Sequence, residues 1–289
     1  MTFLLSTPII SSYGHTFTSD ETSLYLTFID EMKVQKNLIK KYMQEGNYDF
    51  AQAHLTRMVE LYTDELKEEL AEKNKRVSTE ISSTIFNIGD QIKQRLDEKS
   101  ILIALDDLDP ILVESIDIRL DPTVLSNSTV HGLHFTELVN SMDTNYKHSF
   151  ISKDMVNDSE IRIPEISNKT SQLEHKNNHV AIKDTETGGN NVSDLVSYDT
   201  ARGLLTVIKD LYNTTIKQDI NQTKSAELDQ INIALNQTAN VIDSKLPYKD
   251  LAIQVHGIIH PNVIEVYGLD HLAINQPKTL KSSGENSHS

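Results

Sequence analysis

Residues 48–70, YDFAQAHLTRMVELYTDELKEEL, and residues 198–220, YDTARGLLTVIKDLYNTTIKQDI, align without a gap at an offset of 150. The pairs Tyr48/Tyr198, Asp49/Asp199, Ala51/Ala201, Leu55/Leu205, Thr56/Thr206, Leu61/Leu211, Tyr62/Tyr212 and Lys67/Lys217 are eight identities in 23 positions, where roughly one or two would arise by chance. Further on, Ile81/Ile231, Ile85/Leu235 and Ile92/Ile242 continue the match as apolar pairs at helical spacing. The reading is one helical hairpin used twice. Because the matched positions are mostly packing positions, the repeat argues for a scaffold more than for a repeated catalytic site.

Outward from the hairpin, the rest of the chain also reads as helix. Thr18 and Glu21 have capping-box spacing ahead of Tyr25, Phe28, Ile29, Met32, Ile39, Tyr42 and Met43, and Gly46 stops that run. Asn47 can cap a second helix whose stripe runs from Phe50 to Leu70, and Val77, Ile81, Ile85, Ile88, Ile92 and Leu96 form a third. Asp109-Pro110 and Asp121-Pro122 read as cap plus first-turn pairs, and Val130 to Tyr146 as a further helix. Residues 150–192 are polar and carry few aromatics, so they cannot bury enough apolar area to offset their ordering entropy. The predicted fold is all-α: two related helical-bundle units, 15–149 and 193–272, joined by a polar linker over 150–192 and followed by a mobile tail over 273–289.

Composition narrows the function classes. The chain has 289 residues, 42 acidic against 27 basic side chains, a net charge of −15, and no Cys or Trp. Without cysteine there is no disulfide, thiolate zinc site, iron–sulfur cluster or cysteine nucleophile. The negative charge disfavours nucleic acid, whose phosphates are neutralised by Lys and Arg. No downstream run is apolar and long enough for a transmembrane anchor.

Compartment is read from two features. Met1 to Gly14 carries no charge, is apolar over about the length of a signal-peptide core, and places Ser12 and Gly14 at the −3 and −1 positions of a cleavage site before His15. The basic start is missing, so the reading is a signal peptide truncated by its assigned start; the alternative is an apolar arm on a cytoplasmic protein. Asn-x-Ser/Thr then occurs at Asn127, Asn157, Asn168, Asn191, Asn213, Asn221 and Asn236, and glycan acceptors must face solvent.

Catalytic motifs are scarce. There is no Gly-rich phosphate loop, nucleophile elbow or His-Glu-x-x-His pair. Histidines supply the candidates for metal: His131/His134 three apart and His256/His260 four apart each place two imidazoles on one helix face, and each pair needs a third ligand. His15, once freed as an N-terminus, could chelate copper through its α-amino group and imidazole. His54 matches Leu204 across the offset and reads as packing.

His15-Thr-Phe-Thr-Ser-Asp-Glu-Thr, Ala51-Gln-Ala-His54, Asn127-Ser-Thr-Val-His-Gly-Leu and Val255-His-Gly-Ile-Ile-His260-Pro resemble segments of uncharacterised exported helical proteins of ammonia-oxidising archaea. The resemblance implies an extracytoplasmic, all-helical protein and brings no catalytic residues. The expectation is a non-enzymatic protein of the cell envelope with protein partners there and no resident cofactor. The alternative is an envelope protein that binds copper or another metal through histidines.

Overall fold

The computed structural model describes residues 18–150, 192–219 and 224–269, and among them there is helix and no strand. Helix α1 (Ser19–Gln44) opens with the expected capping box: Thr18 Oγ1 accepts from the Glu21 N–H while the Glu21 carboxylate accepts from the Thr18 N–H. Two donors that a helix start leaves unpaired are thereby satisfied. The chain leaves α1 through Gly46 at φ +70°, a conformation that side chains resist. Helices α2 (Tyr48–Leu61), α3 (Asp64–Lys93), α4 (Glu98–Asp106), α5 (Leu108–Arg119), α6 (Pro122–Leu125) and α7 (Ser128–His148) follow. Next come α8 (Leu195–Leu211) with a π turn at Tyr212–Ile216, α9 (Ser225–Asp243), α10 (Tyr248–Gln254), a π turn at Val255–Ile259, and α11 (His260–Tyr267).

Local chemistry moves several boundaries from their sequence positions. The second helix stops at Leu61 and does not reach Leu70, because Tyr62 turns inward to donate its hydroxyl to Ser78 O (3.2 Å) and Thr63 caps α3. Asn74 then breaks α3 (φ −156°, ψ 97°), and its side-chain oxygen accepts from the Arg76 and Val77 N–H groups, restarting the helix as a cap does. Asp109 and Pro110 lie inside the first turn of α5, whereas Asp121 caps α6 as expected. Pro261 lacks an N–H and its ring crowds the carbonyl four residues back; the wider π turn just before it accommodates that ring.

Two apolar cores result. One is built from α1 to α5 around Tyr25, Met32, Leu66, Ile81 and Leu105; the other from α7 to α11 around Phe135, Leu204, Ile231 and Val255. The 150-residue offset recurs between them. Helices α2 and α8 end at Leu61 and Leu211, and α3 and α9 at Lys93 and Asp243. Tyr62 donates to Ser78 O, and Tyr212 to Leu228 O. Arg95 and Lys245 both take φ +52° in the turn that follows, and the next amides, Leu96 and Leu246, reach back to Gln91 O and Val241 O. In the first core α1 packs on α2, α4 and α5; in the second α7 packs on α8, α10 and α11.

This packing corrects the domain reading. Helix α7, assigned above to the first bundle, lies in the second core. The polar stretch therefore does not join the two bundles: it leaves after α7 and returns before α8, inside the second unit. Its two ends meet, because the Ser193 and Asp194 N–H groups both donate to Ser149 O (2.8 and 3.1 Å) while Phe150 and Val192 pack on that core. Composition locates a polar stretch, but which helices pack on either side of it is a tertiary fact.

The units meet where α1 runs against α7 and α8. Val34 of α1 belongs to the second core, and a Cβ placed on Gly203 of α8 would lie 2.6 Å from Val34 Cγ1, so only glycine allows this approach. Beside it the seam is polar. Gln35 accepts from His54 Nδ1 (2.9 Å) and donates to Thr200 Oγ1 (3.2 Å), and the Tyr42 hydroxyl donates to Asp199.

Candidate functional site

Helices α2 and α3 run antiparallel, with Tyr62 bonded to Ser78 at one end and the Arg95 guanidinium 5.4 Å from the Tyr48 ring at the other. Between them lies an open groove of about 890 Å³. Leu55, Ile85 and Ile92, all buried, form its floor; Val59 and Phe86 form its lips and are 51% and 77% exposed. Gly89 brings α3 close to α2 here, since a Cβ would sit 3.0 Å from Leu55 Cδ2. The rim carries Lys67, Lys93 and Arg95 with Asp49 and Asp90. Burying a phenyl ring such as that of Phe86 would return roughly 1.5–3 kcal/mol.

The same positions in the second unit are treated differently. Where the first hairpin has Val59 and Phe86, the second has Lys209 and Asn236, and the Lys209 ammonium donates across the hairpin to Asn236 Oδ1 (3.1 Å). Where the first has Gln52 and Lys93, the second has the ion pair Arg202–Asp243 (3.5 Å). Polar crossings span that hairpin at two levels. The first groove leaves one sign in the sequence that helical spacing alone does not pick out: Phe86 sits next to Ile85 but off the stripe Ile81, Ile85, Ile88, Ile92.

The histidine pairs part company. His131 and His134 share α7 but face different partners. His131 Nδ1 is 2.6 Å from Asp219 Oδ2 and its Nε2 is 2.6 Å from Leu125 O, so both nitrogens meet acceptors. With both ring nitrogens engaged by protein oxygens, neither is turned toward a metal. His134 Nε2 lies 3.1 Å from Asp30 Oδ2. Burial raises the Asp30 carboxyl, but His134 and Lys33 outweigh it and hold it below the ordinary value.

His256 and His260 do come together, ring centroids 5.2 Å apart, beside two residues that no spacing pattern links to them. Asp143 of α7 lies 3.5 Å from His256 Nε2 and accepts from the Tyr248 hydroxyl (2.9 Å). His260 is buried with its Nε2 unbonded, whereas His256 is half exposed. Among the described residues, no group of three or more His, Asp or Glu is placed to hold a metal ion. His15 lies outside the described residues, as do Asn157, Asn168, Asn191 and Asn221. The three described sequon asparagines, Asn127, Asn213 and Asn236, are all exposed. Asn127 also caps α7, accepting from the Thr129 N–H (2.9 Å).

No protein-family model, curated protein or solved structure matches the chain.

Burial, reinforced by the neighbouring His256 and opposed by Asp143, lowers the His260 imidazole from 6.5 to about 4. The folded chain thus holds His260 neutral over a range where the unfolded chain binds a proton. Stability from this group is complete above pH 6.5, falls as the pH drops toward 4, and levels off below. Between pH 7 and pH 5 the loss is about 2 kcal/mol. Denaturant unfolding at the two pH values should show that loss in the native chain and a loss smaller by about this amount in His260→Leu.

Proposed function

We propose that this chain is a non-enzymatic, exported scaffold of the cell envelope that engages a protein partner through the groove between α2 and α3. The observation that carries the reading is the exposed pair Val59 and Phe86 above an apolar floor, at positions where the second hairpin is bridged by Lys209 and Asn236. One scaffold used twice keeps its packing positions and differs on this face, as expected if the face and not the core serves the partner. No helix among the described residues is long and apolar enough to cross a membrane. Export is supported by the apolar residues before His15 and by the exposure of the sequon asparagines Asn127, Asn213 and Asn236. No Asn-x-Ser/Thr precedes Asn127, so the stretch that forms the α2–α3 groove carries no glycan-acceptor motif.

The groove reading is checked with an apolar fluorescent dye. At protein concentrations well below about 1 μM, where a weak self-contact is open, dye emission should rise on the native chain, and the rise should fall at least about fivefold in Val59→Lys/Phe86→Asn, which transplants the second unit's polar pair; equal binding by both chains contradicts the reading. Export is checked by the intact mass of the protein recovered from its native host. The mass should lack residues 1–14 and carry hexose-bearing additions, whereas a full-length, unmodified chain places the scaffold in the cytoplasm.

A further inference from the structure

We infer that the occupant of the α2–α3 groove is a second copy of this chain, with the two hairpins closing on each other about a two-fold axis. The inference rests on the groove reading above and identifies its partner. A two-helix hairpin with an open apolar seam is half of a four-helix bundle, and a second hairpin of the same shape completes it. The face suits its own copy because knob and hole lie on it together: Phe86 stands out at one lip, and the floor of Leu55, Ile85 and Ile92 lies beside it. In a two-fold contact each ring enters the other copy's groove, which is the self-complementarity such an interface requires.

Charge selects the same face. A chain of net −15 repels its own copy, but this rim carries Lys67, Lys93 and Arg95 against Asp49 and Asp90. Lys67 lies at the Tyr62 end of the groove and the two aspartates at the Tyr48 end. An antiparallel two-fold arrangement thus sets Lys67 of one copy, which pairs with its own Asp64 (2.8 Å), toward the partner end where Asp49 and Asp90 stand beside Lys93 and Arg95, so that mixed charges meet in place of the like charges of the rest of the surface.

The second hairpin explains why the assembly stops at two. With Lys209–Asn236 and Arg202–Asp243 across its outer face, it offers no matching seam. Two apolar seams per chain would link copies into an open filament; one closes a dimer.

The test is the mass of the full chain by sedimentation equilibrium over roughly 1–100 μM, the range of weak specific contacts. The native chain should be a concentration-dependent dimer, and Val59→Lys/Phe86→Asn should weaken association at least about tenfold. Phe86→Asn alone, at an exposed position that the core does not use, should do the same, with thermal unfolding unchanged when both chains are compared at a concentration where they are monomeric. A native chain that stays monomeric throughout, or a dimer that persists equally in both variants, overturns the inference. The dye measurement separates the two readings: a monomer whose dye binding is lost in the double variant leaves the groove standing without this occupant, and a monomer without dye binding removes both.

Discussion

Helix α1 has to be buried on two sides at once, and the rest of the molecule is arranged around that constraint. One side supplies Tyr25, Phe28, Met32 and Ile39 to the first core; the other sends Val34 into the second. A helix wrapped this far must also hide polar groups, and each hidden donor or acceptor left unpaired costs about 1–3 kcal/mol. Gln35 spends its carbonyl on His54 and its amide on Thr200, Lys36 pairs with Asp109, and Tyr42 bonds to Asp199. These contacts reach α2, α5 and α8, so the polar pairs fix α1 against both units while the apolar contacts supply most of the burial.

Helices α1 and α7 pack together and α8 joins them at the seam, while the α2–α3 and α8–α9 hairpins each keep one face exposed. The outer faces are where the two units differ. Identical core positions, such as Leu55/Leu205 and Tyr62/Tyr212, keep the same packing and the same tyrosine hydrogen bond. The off-core positions differ in kind: apolar lips over a groove in one hairpin, a lysine–asparagine bridge and an ion pair in the other. Substitution at a surface position changes stability little, so such positions are free to be shaped by what lies outside the chain.

Much of the local structure was legible in the sequence because its causes are local. The Thr18–Glu21 box, the Asn47 cap and the Gly46 turn act within a few residues, and each stands where the pattern places it. The boundary at Tyr62 was hidden because it depends on a hydroxyl reaching Ser78. The pairing of α7 with α8 was hidden for a larger reason: a stripe at helical spacing says that a face is buried, not against what. At the candidate site, Phe86 was visible as an apolar residue off its stripe. Asp143 and Tyr248 beside the histidine pair come from distant helices, and no spacing rule connects them to His256.

The contact between Val34 and Gly203 is the most direct expression of α1 bridging the two units. Since the chain has no cysteine, Val34→Cys/Gly203→Cys introduces a single possible intramolecular disulfide, which non-reducing peptide mapping after mild oxidation can read. The structure predicts a near-complete link between the peptides carrying residues 34 and 203 in the folded chain, and its loss when the chain is oxidised in denaturant. Two free thiols in the oxidised folded chain would contradict the central seam.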